Sequence, residues 1–500
     1  MIKKFLENLD NIITPRDVLF LGLTLILFYL LRLPSLIEPY WYGDEGIYQV
    51  IGMAMNQGRV LYGEIWDNKP PVLYIIYALF NGDLFSVRFL SLIFGGLSVV
   101  VFFMLSKKLF KNQLSIYVST FFYSIIFATP FLEGNIANSE NFMLLPIISA
   151  FYLIYSTKEK TRLLTTFAAG IMISLAFLTK IVALFDFAAL FITVLALRFY
   201  DEISFSKRKL KKTIRKIVFG FEQEAVLLIA FLSPVLLTAF YFLLMGVFPD
   251  FYRAVFSQNV GCVGHGNYLF FPMGFLYLKV LLLLFSILII LKYRKIFGAP
   301  GVLILTWLSF SIFNAMFSQR PYTHYLLVLL PSFSLFLGYI LENKKLLAFT
   351  LPLAVILISV ISLNFKFYSK IIPYYSNYLN FMMDKKSLEK YQSFFDRITP
   401  RDYEISRFIQ AKTRDHEGIF LWSDSGQIYA LSNKLPPGRY IVSYHITFYK
   451  EAINETKKAL DRVRPKYIIQ TKEGREVANF LDNYELRYKI GNVRIYERQS

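Results

Sequence analysis

Asp44 and Glu45 stand side by side in the stretch Tyr42-Gly43-Asp44-Glu45-Gly46-Ile47-Tyr48, and Trp66-Asp67-Asn68-Lys69-Pro70-Pro71 follows a short way on. A carboxylate held near an attacking hydroxyl can take its proton. A lysine at the entrance of a helix can hold an anion, beside backbone N–H groups that have no partner inside the helix. Pro70 and Pro71 suit a first helical turn but remove some of those donors, so Lys69 must supply much of the attraction. Each piece also has a plainer explanation. Acidic residues often occupy a helix N-terminus because the macrodipole favours them there, and a lysine beside prolines can simply snorkel towards water. Taken together, a base and an anion clamp between apolar runs point to an enzyme working on a lipid-linked substrate, rather than to a pore or a scaffold.

The elements that must carry these residues are apolar helices. The chain has 500 residues, 55% of them apolar and 18% aromatic, and the apolar residues are gathered into long blocks. Spans are expected near 17–33, 84–105, 114–130, 138–156, 163–179, 180–198, 223–246, 272–292, 299–317, 321–341 and 345–363. Residues 163–198 read as two spans rather than one, because a single helix of that length would reach ~54 Å, nearly twice a hydrocarbon core of ~30 Å. Basic residues fall in alternate loops: Lys3, Lys4 and Arg16; Lys107, Lys108 and Lys111; Lys158, Lys160 and Arg162; the cluster Lys207 to Lys216; Lys292, Arg294 and Lys295; Lys344 and Lys345. That alternation puts the N-terminus in the cytoplasm and loop 34–83 on the outer face. The expectation is a mostly α, polytopic protein of the cell membrane with about eleven transmembrane helices over residues 1–365. The first span reads as a retained anchor, since no small-residue cleavage site follows it.

Beyond Asn364 the long apolar runs stop. Residues 366–405 read as a linker, and 406–500 as a soluble α/β domain on the extracellular or periplasmic side. Strands are expected at Ile419–Trp422, Tyr440–Val442 and Tyr467–Ile469, with helices near 450–463 and 475–483 and a hairpin turning at Gly491-Asn492. The net charge of +19 lies mainly in loops beside the membrane. Anionic lipid headgroups account for it, and no nucleic-acid partner is expected. One cysteine, Cys262, excludes an internal disulfide framework and any Cys-x-x-Cys metal site.

Further segments share the order and spacing of a known group. Asp44-Glu45 after the first span and Asp67-Asn68-Lys69-Pro70-Pro71 come first. Asn138-Ser139-Glu140-Asn141, Leu178-Thr179-Lys180 and Arg320-Pro321-Tyr322-Thr323-His324-Tyr325, leading to Pro331, then follow. The chain resembles the GT-C glycosyltransferases of the protein O-mannosyltransferase and aminoarabinose-transferase type over roughly residues 15–345, with a similar outer tail. The resemblance implies transfer of a sugar from a polyprenyl-phosphate-linked donor on the outer leaflet, with inversion at the anomeric carbon. It makes Asp44, with Glu45, the catalytic candidate, and Lys69, Lys180, Arg320, His324 and Tyr325 the donor-phosphate ligands. Glu140, Asp67 and His265 are candidates for acceptor or metal contact, and a divalent metal cation is the only cofactor that comes into question. Where some relatives carry an acidic residue just before Lys-Pro-Pro, this chain has Asn68, with Asp67 one step away. The acceptor, whether protein, lipid or glycan, is left open, as is the sugar.

The residues are consistent with that chemistry: a lipid phosphate leaving group needs cations where charge develops. Two other readings compete with it. A transporter or flippase of lipid-linked sugars would carry ionisable groups deep in its spans, and Asp186 is the clearest of these. A non-catalytic assembly protein could keep the architecture and use its tail to bind a partner.

Overall fold

Thr14 starts the first helix. Its hydroxyl accepts from the Asp17 amide at 3.3 Å while the Asp17 carboxylate accepts from the Thr14 amide at 2.8 Å, a reciprocal cap with Pro15 in the first turn. A computed structural model of the chain describes residues 14–203, 220–259, 274–317 and 322–499. In chain order its membrane portion contains α1 (Pro15–Arg32), α2 (Gly43–Asn56), α3 (Pro71–Ala78), α4 (Leu84–Leu109), α5 (Gln113–Ala128), α6 (Ser139–Ser156) and α7 (Arg162–Thr179). There follow α8 (Leu184–Arg198), α9 (Glu222–Leu244), α10 (Phe248–Tyr252), α11 (Gly274–Lys292), α12 (Arg294–Phe317), α13 (Leu330–Glu342) and α14 (Leu347–Asn364).

Helices overlap the expected spans, but the one expected at 321–341 begins with a 3-10 turn at Thr323–Leu326 and becomes an α-helix only at Leu330. Among the described residues, seven helices are long and apolar enough to cross a membrane by length and composition, while α5 and α13 are apolar but shorter. Many outward side chains are large and apolar, such as Leu236 and Leu237 on α9 and Leu281 and Leu282 on α11, as lipid contact requires. Small residues mark the close helix contacts. A Cβ at Gly170 of α7 would sit 2.8 Å from the Leu227 carbonyl oxygen of α9, so only glycine lets the two backbones approach. The long apolar run from 163 to 198 is broken, as expected: α7 stops at Thr179, Lys180 is extended, and a short 3-10 turn leads into α8.

The region around α2 departs from expectation. Its apolar residues recur at helical spacing, which suggests an amphipathic helix lying on the membrane face, yet every residue from Glu45 to Ala54 is buried. The C-terminal domain covers the side that would face water. A Cβ at Gly46 would lie 2.9 Å from the Gln427 backbone nitrogen, and one at Gly426 would lie 2.7 Å from the Gly46 carbonyl oxygen. On the opposite side Gly52 faces the backbone of Tyr77 in α3, where an added Cβ would approach the carbonyl carbon to 2.7 Å. Backbone cannot give way as a flexible side chain can. Gly52→Ala should therefore lower stability by about 1–3 kcal/mol, read as an earlier thermal transition of the detergent-solubilised chain. The helix α3 is too short to span at 8 residues, and it packs Leu73, Tyr74 and Tyr77 inward.

The tail also differs in part. Its elements are α15 (Ile371–Met382), α16 (Leu388–Gln392), α17 (Thr399–Lys412), β1 (Ile419–Trp422), α18 (Gln427–Leu431), α19 (Ser443–Phe448), α20 (Ala452–Val463), β2 (Tyr467–Gln470), β3 (Tyr484–Ile490) and β4 (Val493–Arg498). The four-stranded sheet has the order β1-β2-β4-β3, with β1 and β2 parallel and the other pairs antiparallel. Tyr440–Val442, expected as a strand, is not in the sheet. It makes a single bridge to Trp66 of the first loop, where the Trp66 amide donates to the Arg439 carbonyl at 2.9 Å. Residues 366–405 are largely helical and docked rather than a plain linker, and the expected boundary at 406 falls inside α17. Tyr374 donates to Glu38 at 2.5 Å, Tyr391 to the Ile37 carbonyl at 3.3 Å, and the Tyr40 amide donates to the Tyr403 hydroxyl at 3.0 Å. Burial raises the pKa of the Glu38 carboxyl, against the pull of Arg88 and its three hydrogen-bond donors Tyr374, Trp41 and Asn135.

Candidate active site

The turn into α2 separates two adjacent carboxylates. Glu45 is committed: Arg88 of α4 grips it through Nη2 at 2.7 Å and Nε at 3.2 Å, and its Oε1 also accepts from the Ala137 amide at 2.8 Å. Both side chains of the pair are 1% exposed. Arg88 also donates to the Glu38 carbonyl at 2.7 Å, so the pair ties loop 34–43, α2, α4 and the segment before α6 together. The geometry gives Glu45 this tethering role in place of the catalytic one expected for it. Asp44 is only half-buried, and its one hydrogen bond on display is from the Tyr48 hydroxyl at 3.2 Å.

Lys69 enters from the loop before α3. Tyr62 donates to its carbonyl at 2.7 Å, its amide donates to the Tyr74 hydroxyl at 3.0 Å, and Tyr74 in turn donates to Asp67 at 2.7 Å. The loop backbone is thus fixed by buried phenols, and the ammonium is left with Asn68 Oδ1 at 3.0 Å and the ring of Tyr48 at 5.9 Å. Burial works against that charge, but the carboxylates of Asp67 and Asp44 outweigh it and raise the Lys69 pKa. Across the loop, His445 of α19 places Nε2 3.7 Å from Asp67 Oδ1; burial lowers its pKa against the pull of Asp67.

The far wall comes from α6, the α7–α8 break and the turn before α13. Asn138 caps α6 through the Ser139 amide at 2.8 Å and also accepts from Tyr48 at 3.3 Å, so Tyr48 joins Asp44 to this wall. Glu140 accepts from Lys180 and from Ser139 at 2.9 Å, and His324 Nε2 stands 3.9 Å from its Oε1. The extended backbone at Lys180 turns its side chain inward over the Tyr325 ring, 4.7 Å from the centroid. His324 meets Glu133 through Nδ1 at 3.0 Å. Glu140 and Tyr325 also contribute to the field at Lys69, so the two walls lie close enough to act on one another.

Of the residues singled out in sequence, Asp44, Asp67, Lys69, Glu140, Lys180, His324 and Tyr325 come together here. Arg320 and His265 lie outside the described residues. Asp67 and Glu140, candidates for acceptor or metal contact, are engaged by Tyr74 and Lys180, and no group of three or more His, Cys, Asp and Glu side chains converges among the described residues. Residues missed in sequence are Arg88, Tyr48 and Glu133. A lone arginine near the start of an apolar run was a signal for a buried pair. Tyr48 sits one helical turn after Asp44, so that spacing too could have flagged it. Glu133 carried no local signal.

Residues 68–218 match the family model described as dolichyl-phosphate-mannose-protein mannosyltransferase. An undecaprenyl phosphate-alpha-4-amino-4-deoxy-L-arabinose arabinosyl transferase 2 from Proteus mirabilis is 27% identical over 185 residues, covering 34% of this chain and 33% of that protein. The matched stretch therefore spans about a third of the curated relative's length. The crystal structure of ArnT from Cupriavidus metallidurans bound to undecaprenyl phosphate superposes with a TM-score of 0.55 at 12% identity, covering 96% of this chain and 97% of that one. The chain shares the fold of that structure. The archaeal oligosaccharyltransferase AglB from Archaeoglobus fulgidus, in complex with an inhibitory peptide and a dolichol-phosphate, gives a TM-score of 0.47 at 12% identity, over 91% of this chain and 70% of that one. In sequence, this GT-C chain resembles the mannosyltransferase and aminoarabinose-transferase families.

Proposed function

We propose that this chain is a glycosyltransferase that moves a sugar from a polyprenyl-phosphate donor to an acceptor hydroxyl at the outer face of the cell membrane. The observation that carries the reading is the convergence of a half-buried carboxylate, Asp44, with the ammonium groups of Lys69 and Lys180 around Tyr48, Asn138 and Glu140. The names of the GT-C relatives, one acting from undecaprenyl phosphate and one holding it, support the donor class.

In this reaction Asp44 accepts the proton of the acceptor hydroxyl as its oxygen attacks the anomeric carbon. The bond from that carbon to the phosphate oxygen breaks, and polyprenyl phosphate leaves with the electron pair. Attack from the face opposite the leaving group inverts the anomeric centre. Lys69, Lys180, His324 and Tyr325 stabilise the charge that develops on the phosphate, and Arg320, by its place in the motif, is a further candidate for that role. Placing basic loops in the cytoplasm puts the pocket, the C-terminal domain and the donor headgroup on the outer side. Asp186 does not favour the transport alternative. It accepts from Trp307 Nε1 at 2.9 Å, beside the Phe151–Trp307 stack, as a packed core group.

The test uses purified chain and a panel of labelled undecaprenyl-phosphate sugars, following release of undecaprenyl phosphate. Wild type releases it from at least one donor. Lys69→Met should cut that release by about 10²–10³-fold while the chain still unfolds cooperatively. Release by the variant at the wild-type rate removes Lys69 from the phosphate site, and no release from any donor by wild type removes the reading itself.

A further inference from the structure

Glu133 lies outside every motif, yet it is tied directly to the pocket. It ends a short 3-10 turn in the left-handed region, at φ 59° and ψ 28°, a conformation that side-chain-bearing residues seldom adopt. The turn aims its carboxylate at the segment before α13. There it accepts from the Thr323 hydroxyl at 2.6 Å, the Tyr42 hydroxyl at 2.8 Å and His324 Nδ1 at 3.0 Å. Burial would raise its pKa, but these partners outweigh burial and lower it, leaving a carboxylate that can only accept. The proton on the near ring nitrogen of His324 therefore sits on Nδ1 and is spent on Glu133. Nε2 stands 3.9 Å from Glu140 Oε1, the carboxylate that Lys180 also holds.

We infer that Glu133 is a positioning residue: by accepting from Nδ1 of His324 it fixes the ring and favours its doubly protonated form, so that the Nε2–H donates to a non-bridging oxygen of the donor's phosphodiester and of the phosphate that leaves. The inference rests on the donor class proposed above and adds the residue that orients one of its ligands. Tyr42 links the device to the catalytic turn, since it immediately precedes α2 and shares the carboxylate with His324. A carboxylate behind a ligating histidine fixes the ring's tautomer and plane, as in many metal and nucleophile sites.

The experiment is a double-mutant cycle on the full-length chain in detergent, measuring affinity for undecaprenyl phosphate. Glu133→Gln and His324→Gln should each weaken binding by about tenfold, and the double variant should bind no more weakly than His324→Gln alone. Tyr42→Phe, which removes one donor and keeps the ring, should show a smaller loss that likewise disappears on the His324→Gln background. A purely structural role for Glu133 would give additive losses in the cycle, and that result overturns the inference. So does unchanged affinity in Glu133→Gln. If inorganic phosphate competes at equal concentration, the site takes a free anion and the lipid assignment falls. Wild type that fails to bind undecaprenyl phosphate overturns the donor reading and the inference with it.

Discussion

Asp44→Asn should reduce sugar transfer by about 10³-fold while leaving the chain folded and able to bind undecaprenyl phosphate. The substitution keeps the volume of the side chain, and its carbonyl oxygen can still accept from Tyr48 as the carboxylate does at 3.2 Å. What it removes is proton affinity at the one carboxylate of the first motif that is open to the pocket. Glu45 cannot substitute, because both its oxygens are held by Arg88 and the Ala137 amide. Transfer of label from donor to acceptor and the thermal transition should be measured on the same preparations. Activity within tenfold of wild type would show that another group takes the proton. Loss of both activity and the cooperative transition would make Asp44 a structural residue instead.

The second large effect should be on stability. Arg88→Met leaves the Glu45 charge buried without its partner, at a cost of about 3–5 kcal/mol. It also frees the Glu38 carbonyl and loosens the turn that presents Asp44. Low yield and an early, broad thermal transition are expected. Adding Glu45→Gln to Arg88→Met should recover much of the loss, because the orphaned charge is then removed along with its partner. If the single variant melts like wild type, the pair is not the tether described here.

Much of the helical frame was legible because long apolar runs report directly on lipid contact. The break at Lys180 followed from length alone, since one helix would have been too long. What periodicity could not tell was the fate of α2. Its apolar spacing fits a membrane surface as well as a buried helix, and the difference lies in the domain that covers it from hundreds of residues away. The same distance hid the docking of residues 366–405 through Tyr374 and Glu38. Tyr440–Val442 reads as a strand by composition, but Trp66 takes the pairing instead. In the site, motifs in order identified residues that converge, while the division of labour between Asp44 and Glu45 depended on Arg88. Glu133 could be found only in three dimensions, because the partners that give it meaning are Tyr42, Thr323 and His324.

The glycine-on-glycine seam between Gly46 and Gly426 constrains how such a chain can change. A tail borrowed from a relative would seat on this membrane body only if it brought an equally bare backbone to that spot. A single methyl on either side would wedge the two halves apart and tilt the helix whose first turn carries Asp44. Chimeras that exchange the last hundred or so residues should therefore succeed or fail on this one pair of positions before any question of specificity arises.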